Sequence, residues 1–419
     1  MEVSTIFEEL HLCAWALTRH LNAPFANERA RYLSYCAERG DSQATLASKA
    51  NRLIYVARQL SKCPELDVAI ERLRTVSCGG KGSEYAWIQE LNTRWSQKKF
   101  LGVARPWLRF LGWWSEPTVL EPFQEQLDEY CHWMRDLRGM TEMTIDTERR
   151  YVTQFFRWYA AKQRSLSEAQ PIDIDRYLAE GGATRWRRIS VRDVATALRA
   201  FFRYGAIRGW SPLHLADSIQ APRVYTGETL PSGPDWTDVR RMLAATNTKR
   251  AKDLRDRPIL MLFAIYGLRV TEVARLRLED FDWEHGLLHV TRVKRRGPQT
   301  YPLLPSMSEA LIRYLKTVRR RCAHREVFLG LRSPFLPLAH GGLYSLVSRR
   351  LTALGVRTAH HGPHSLRHAC AARLVAEGLS LKVIGDHLGH RSASATRIYA
   401  KVDLSALREV AAFDLGELL

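Results

Sequence analysis

The sequence predicts a mainly α-helical, multidomain protein whose C-terminal part is α+β with a small β-sheet. Three observations carry this reading. Apolar residues recur at steps of three and four over most of the chain, the period of helices buried on one face. Two stretches, GWWSEPTVLEP at 112–122 and APRVYTGETLPSGPDW at 221–236, carry turn residues and little helical periodicity. One stretch alternates instead: LLHVTRV, a KRRGPQT turn and a returning YPLL read as a β-hairpin with a basic tip. At 419 residues the chain is long for one domain, and the two breaks divide it into 1–114, 117–222 and 235–419.

The first segment reads as an N-terminal helical region, with ASKANRLIYVARQL and KKFLGVARPWLRFLGWW as its best helices. The second of these matches RDVATALRAFFRYGAIRGW of the middle segment at an offset of 94. The match pairs Arg105 with Arg199, Trp107 with Phe201, Leu108 with Phe202, Arg109 with Arg203 and Phe110 with Tyr204. A decayed internal duplication would leave this pattern, and so would two unrelated amphipathic helices. CGGKGS at 78–83 lacks the spacing of a phosphate loop and follows no strand, so it reads as a turn.

The middle segment reads as a helical bundle. Phe123, Leu127, Tyr130, Met134 and Leu137 line one helix face up to Gly139. Ile145, Val152, Phe156 and Tyr159 line a second, and Val191, Val194, Leu198 and Phe201 a third before Gly209. Ahead of the third, Arg185, Arg187 and Arg188 flank Trp186 at a helix entrance, where basic side chains suit either phosphate contact or a solvated face. In the last segment ILMLFAIYG reads as a buried helix, and RVTEVARL opens another just after Gly267. Beyond the hairpin come helices at SEALIRYLKTVRRRC, at PHSLRHACAARLVAEG with Gly378 as its stop, and around Tyr399.

Composition narrows the function. Lys and Arg number 63 against 44 Asp and Glu, a net charge of +19, and most of the basic residues are Arg, whose planar fork suits phosphate. Nucleic acid is the simplest partner for such a chain. The seven cysteines (13, 36, 63, 78, 131, 322, 370) are scattered without a C-x-x-C pair, as expected of reduced thiols in a cytosol. The N-terminus does not read as a signal peptide, and no apolar run is long enough to span a membrane.

The residues with chemistry to offer are Arg269, Lys294, His364, Arg367, His390 and Tyr399, the last inside GDHLGHRSASATRIYAKVD. His364, Arg367 and His368 share a helix face by spacing; His368 reads as a packed helix residue. The set contains no carboxylate pair, which argues against a glycosidase or a magnesium site. It can hold a phosphate, and its tyrosine can act as a nucleophile in phosphoryl transfer. A metal site among His360, His361, His364, His387 and His390 lacks a completing ligand set apart from Asp386.

GLRVTEVARL, HSLRH and LGHRSASATRIY resemble the motif boxes of the tyrosine recombinases, the phage-integrase and Xer type of site-specific DNA recombinase. The resemblance covers roughly 117–419, with steps of three from His364 to Arg367, 23 to His390 and nine to Tyr399. It implies a helical core-binding (SAM-like) bundle at 117–222 and a catalytic domain at 235–419; 1–114, outside the resemblance, stays open between an arm-type DNA-binding domain, a further core-binding-like bundle and a protein-contact module. It also implies roles. Tyr399 attacks a DNA phosphodiester to leave a 3′-phosphotyrosine and a free 5′-hydroxyl. Arg269 and Arg367 grip the phosphate, His390 adds a hydrogen bond, His364 accepts or relays the phenolic proton and Lys294 protonates the leaving oxygen. Glu272 matches a supporting acidic position. The hairpin departs from the family's G-K-G pattern, since RVKRRG surrounds Lys294 with Arg292, Arg295 and Arg296, which count with Arg185, Arg187 and Arg188 as candidate DNA contacts.

No metal or other cofactor is implied. The partners implied are double-stranded DNA with a core site, further copies of the chain (a dimer on a core site and a tetramer in the synapse), and companion recombinases or DNA-bending proteins, in the cytoplasm at the nucleoid. An apolar stripe at Leu404, Leu407, Val410, Ala411 and Leu415 would dock on its own domain or on a neighbouring protomer. The ending is similar to that of mobile-element integrases. A DNA-binding accessory protein and a type IB topoisomerase are the alternatives.

Overall fold

The structure, a computed structural model, describes residues 3–10, 13–61, 97–114, 121–224, 233–292, 298–390 and 394–399. The C-terminal stripe at 404–415, the CGGKGS stretch, Lys294, Arg295 and Arg296 lie outside the described residues. The chain forms two compact units, one of Glu116–Glu228 and one of Met1–Ser115 with Thr229–Leu419. Among the described residues no helix is long and apolar enough to cross a membrane.

The N-terminal part holds α1 (Val3–Leu10), α2 (Ala14–Leu21), α3 (Ala26–Glu38), α4 (Gln43–Leu60) and α5 (Gln97–Phe110), closed around Leu33, Leu53, Phe100 and Trp107. The Glu116–Glu228 unit holds α6 (Gln124–Asp136), α7 (Glu142–Ala160), α8 (Pro171–Thr184), α9 (Arg188–Ile207) and the short α10 (Leu215–Ser218). Its stripes face one core, with Tyr130, Met134, Val152, Phe156, Leu198 and Phe201 buried. Leu137 departs from the expected face and is 78% exposed, because α6 stops at Asp136 and the chain leaves the helical register there. Phe123 precedes α6 and lies edge-on to Phe156 at 5.1 Å.

The repetition seen in the sequence reaches well beyond the closing helices α5 and α9. Both α3 and α6 have 13 residues, and each follows a phenylalanine, Phe25 or Phe123, at φ 56°. Tyr32, Tyr35 and Phe110 make a triangle of rings whose centroids are 6.4, 4.9 and 5.4 Å apart. Tyr130, Trp133 and Tyr204 repeat it at 5.8, 4.8 and 5.6 Å. Arg39 lies over Tyr35 as Arg138 lies over Trp133. The hydroxyl caps of α4 and α7, Ser42 and Thr141, each accept the backbone N–H of a threonine three residues on, Thr45 or Thr144. Beyond the caps Leu46 and Ile145, Leu53 and Val152, and Leu60 and Tyr159 are buried at a constant offset of 99. Amphipathicity alone does not reproduce a left-handed entry, a cap and a ring triangle together. The two bundles share this set of local features.

The remainder of the first unit holds α11 (Trp236–Ala245), α12 (Ala251–Ala264), α13 (Val270–Arg275), α14 (Pro305–Thr317), α15 (His340–Ala353), α16 (Pro363–Ala376), α17 (Leu381–Leu388) and α18 (Ser394–Arg397). Strands β1 (Phe281–Asp282), β2 (Leu287–Thr291) and β3 (Pro298–Pro302) form an antiparallel sheet in that order. Leu288 pairs with both Phe281 and Tyr301, and all three are buried. Helix α14 ends at Thr317 instead of running through VRRRC. Arg319 folds back there and donates to the carbonyls of His324 at 2.6 Å and Glu326 at 2.9 Å.

Candidate active site

Arg269 caps the N-terminus of α13, and Glu272 lies one turn on, 3% exposed. The Glu272 carboxylate accepts the Arg269 backbone N–H at 2.7 Å, Arg269 Nη1 at 2.9 Å and Arg292 Nη1 at 2.6 Å. One buried carboxylate thereby fixes two guanidinium forks.

Helix α17 supplies the surface against which those forks lie. It begins on the Ser380 cap and ends at Gly389, whose φ of 64° turns the chain out of the helix. The final carbonyls, at the negative end of the helix dipole, have no partner within the helix. Three arginines meet them in succession. Arg292 donates to the His387 carbonyl at 3.1 Å, Arg367 to Leu388 at 2.7 Å and Arg269 to Gly389 at 3.0 Å. Arg367, on α16, also donates to the Gly267 carbonyl.

His390 follows directly, its Nδ1 2.7 Å from Thr396 Oγ1 on α18. Its ring lies parallel to that of Tyr399, with centroids 6.3 Å apart. Tyr399 is 2% exposed and packs in a small apolar cluster with Cys370, Ile384 and Leu388. Its hydroxyl shares a 2.9 Å hydrogen bond with Nδ1 of His368. His364, one turn earlier on α16, meets the His368 ring edge-on at 4.3 Å.

The structure thus brings Arg269, Glu272, His364, Arg367, His390 and Tyr399 into one neighbourhood. Arg292 is not the surface DNA contact expected of it. It is 1% exposed, because Glu272, Gln299, Tyr301 and the His387 carbonyl consume its donors. Arg185, Arg187 and Arg188 are exposed in the Glu116–Glu228 unit at the turn entering α9, Arg185 lying over the Trp186 ring at 5.5 Å. Sequence reasoning set His368 aside as a packed helix residue and passed over Thr396; the structure brings the first to Tyr399 and the second to His390. The first was visible as the i+4 neighbour of His364, and the second carries no pattern of its own.

Burial and crowding by cations set the charge states. Burial pushes the Tyr399 phenol up to about 12, opposed by Arg367. Burial brings His368 down to about 4, helped by His364 and Arg367, and His390 down to about 4, helped by Arg367 and Arg269. His364 is lowered by burial, then Arg367 and Arg269. The imidazoles are neutral at neutral pH, while Arg367, lowered by burial to about 10, keeps its charge. Such a site combines fixed cations with neutral acceptors around a phenol. Among the described residues no group of three or more His, Cys, Asp or Glu is placed to hold a metal ion.

Residues 235–405 match the phage integrase family. A relative from Sinorhizobium fredii (strain NBRC 101917 / NGR234), named as the integrase/recombinase y4rA, is 32% identical over 70% of this chain and 71% of its own. Tyrosine recombinase XerC of Thermodesulfovibrio yellowstonii is 28% identical over 65% of this chain and 90% of its own. In fold the chain is similar to the XerH site-specific recombinase bound to palindromic difH, at 18% identity and TM-score 0.54 over 82% of this chain and 94% of that one. It is likewise similar to a lambda integrase dimer bound to a COC' core site, at 19% identity and TM-score 0.51 over 66% of this chain and 94% of that one. The protein is an enzyme that cleaves and rejoins DNA strands. It belongs to the phage integrase family, the tyrosine recombinases of site-specific DNA recombination.

Proposed function

We propose that Tyr399 is the nucleophile of this recombinase and that Arg269, Arg367, His364, His390 and Lys294 serve it. The observation that supports this is the end of α17, where Arg269 and Arg367 donate to the Gly389 and Leu388 carbonyls and the next residue, His390, lies parallel to the Tyr399 ring at 6.3 Å. The Tyr399 oxygen attacks the phosphorus, and the bond to the 5′-oxygen breaks as the 3′-phosphotyrosine forms. His364 accepts or relays the phenolic proton, its ring lying against that of His368, which meets the Tyr399 hydroxyl, and Lys294 returns a proton to the leaving oxygen. Arg269 and Arg367 keep N–H donors beyond those spent on carbonyls, and these stabilise the charge gathering on the non-bridging oxygens. His390, oriented by Thr396, adds a hydrogen bond. The covalent link conserves the energy of the broken bond, so the 5′-hydroxyl of a second strand can reverse the step.

Residues 117–222 act as the core-binding bundle and 235–419 as the catalytic domain, with Arg185, Arg187, Arg188, Arg295 and Arg296 on DNA phosphates. The features shared by the described residues of 1–114 with the 117–222 bundle support reading that segment as a second bundle of the core-binding kind. The substrate is a duplex core site bound by two protomers and recombined in a tetramer, with the apolar residues of 404–415 contacting a neighbour. Mobile-element integration, excision or transposition in the cytoplasm, at the nucleoid, is the setting, with companion recombinases or DNA-bending proteins assisting.

The test uses nicked duplex DNA from the ends of the element carrying the gene, incubated in EDTA with wild type and Tyr399→Phe. A detergent-resistant protein–DNA adduct with wild type alone is expected. Adduct with both proteins moves the nucleophile elsewhere. DNA binding with no adduct from either favours an accessory role.

A further inference from the structure

We propose that His368 is a positioning residue for the nucleophile, holding the Tyr399 hydroxyl by the 2.9 Å hydrogen bond at its Nδ1. The inference rests on the reading of Tyr399 as nucleophile. The ring of Tyr399 is seated by apolar contacts, so its hydroxyl, buried with it, must find a partner inside that cluster. The imidazole of His368 supplies it. His368 in turn is braced by His364 at 4.3 Å and fixed on α16, the helix that also carries Arg367.

The direction of the bond follows from the surroundings. Arg367, His364, His360 and His390 crowd His368, and a second positive charge there is unfavourable. A neutral imidazole protonated on Nε2 leaves Nδ1 as an acceptor, so the phenol donates. The O–H then points at α16, and the oxygen lone pairs are turned away from it. An incoming phosphodiester meets an oxygen already aimed and a proton already engaged, the pre-organisation that positioning requires.

A residue that merely fills space predicts something different, and two substitutions separate the cases. His368→Phe keeps a ring and removes the acceptor; His368→Asn places an amide oxygen near Nδ1. On the nicked duplex, His368→Phe is expected to cleave roughly 10²-fold more slowly at unchanged DNA affinity. His368→Asn is expected to recover most of that loss. Wild-type cleavage by His368→Phe, or equal loss in both variants, overturns the proposal. A second measurement needs no DNA. With 3-fluorotyrosine at position 399 of the full-length protein, the ¹⁹F resonance should move in His368→Phe and return in His368→Asn. A resonance that ignores both changes also overturns it. Adduct formation by Tyr399→Phe would sink the nucleophile assignment while leaving the fluorine result standing.

Discussion

At position 389 a side chain has nowhere to go. A Cβ there would lie 2.6 Å from Arg292 Nε and 3.0 Å from Gln299 Oε1, and the backbone sits at φ 64°. Gly389→Ala is expected to cost about 1–3 kcal/mol in backbone strain alone. It should also displace Arg292 from Glu272 and so disturb the fork of Arg269. The check is a thermal midpoint together with cleavage of the nicked duplex; both should fall, and an unchanged cleavage rate would mean that the α17 terminus does not govern the site. The sequence displays this glycine inside LGHRS, but its reason is visible only once a hairpin residue, Arg292, is seen beneath it. The same holds for His368, whose i+4 spacing from His364 was legible while its partner, 31 residues away, was not.

Helices that bury one continuous stripe were the most legible elements. In α7 the stripe of Ile145, Val152, Phe156 and Tyr159 is wholly buried, and Phe156 stands edge-on to Phe201 at 5.0 Å. Phe156→Ala should cost about 3–5 kcal/mol, read as a lower denaturant midpoint with an unchanged slope. Helices α15 and α17 were not predicted, for identifiable reasons. The first opens on HGG, which reads as a loop. The second has only eight residues and an interior glycine, Gly385, where a Cβ would meet Thr396 Oγ1 at 2.8 Å. Such a glycine weakens the helical pattern while permitting the close approach of α18 that orients His390. Strand β1, two residues long, leaves no alternation to detect.

At the scale of the molecule, the crowded imidazoles make stability depend on pH. Unfolded histidines titrate at about 6.5. His368 and His390 resist protonation in the fold until about 4, and burial lowers His364 and His387 as well. In that window the unfolded chain binds more protons, so stability must fall as pH drops from about 6.5 toward about 4. Thermal midpoints followed from neutral to mildly acid pH should decline. A flat profile would mean that these rings are solvated and that the site is looser than drawn.

The likeness of the two bundles has a consequence for how the chain reaches its fold. Helices built to one pattern compete for one another's grooves while the chain is still assembling. Yet Val56, Ala57 and Trp107 stand in one bundle where Phe155, Phe156 and Phe201 stand in the other. Trp107 pressed against Phe156 would overfill the exchanged groove, and Phe201 laid over Ala57 would leave it hollow. Side-chain volume, redistributed between partners, keeps each closing helix with its own bundle.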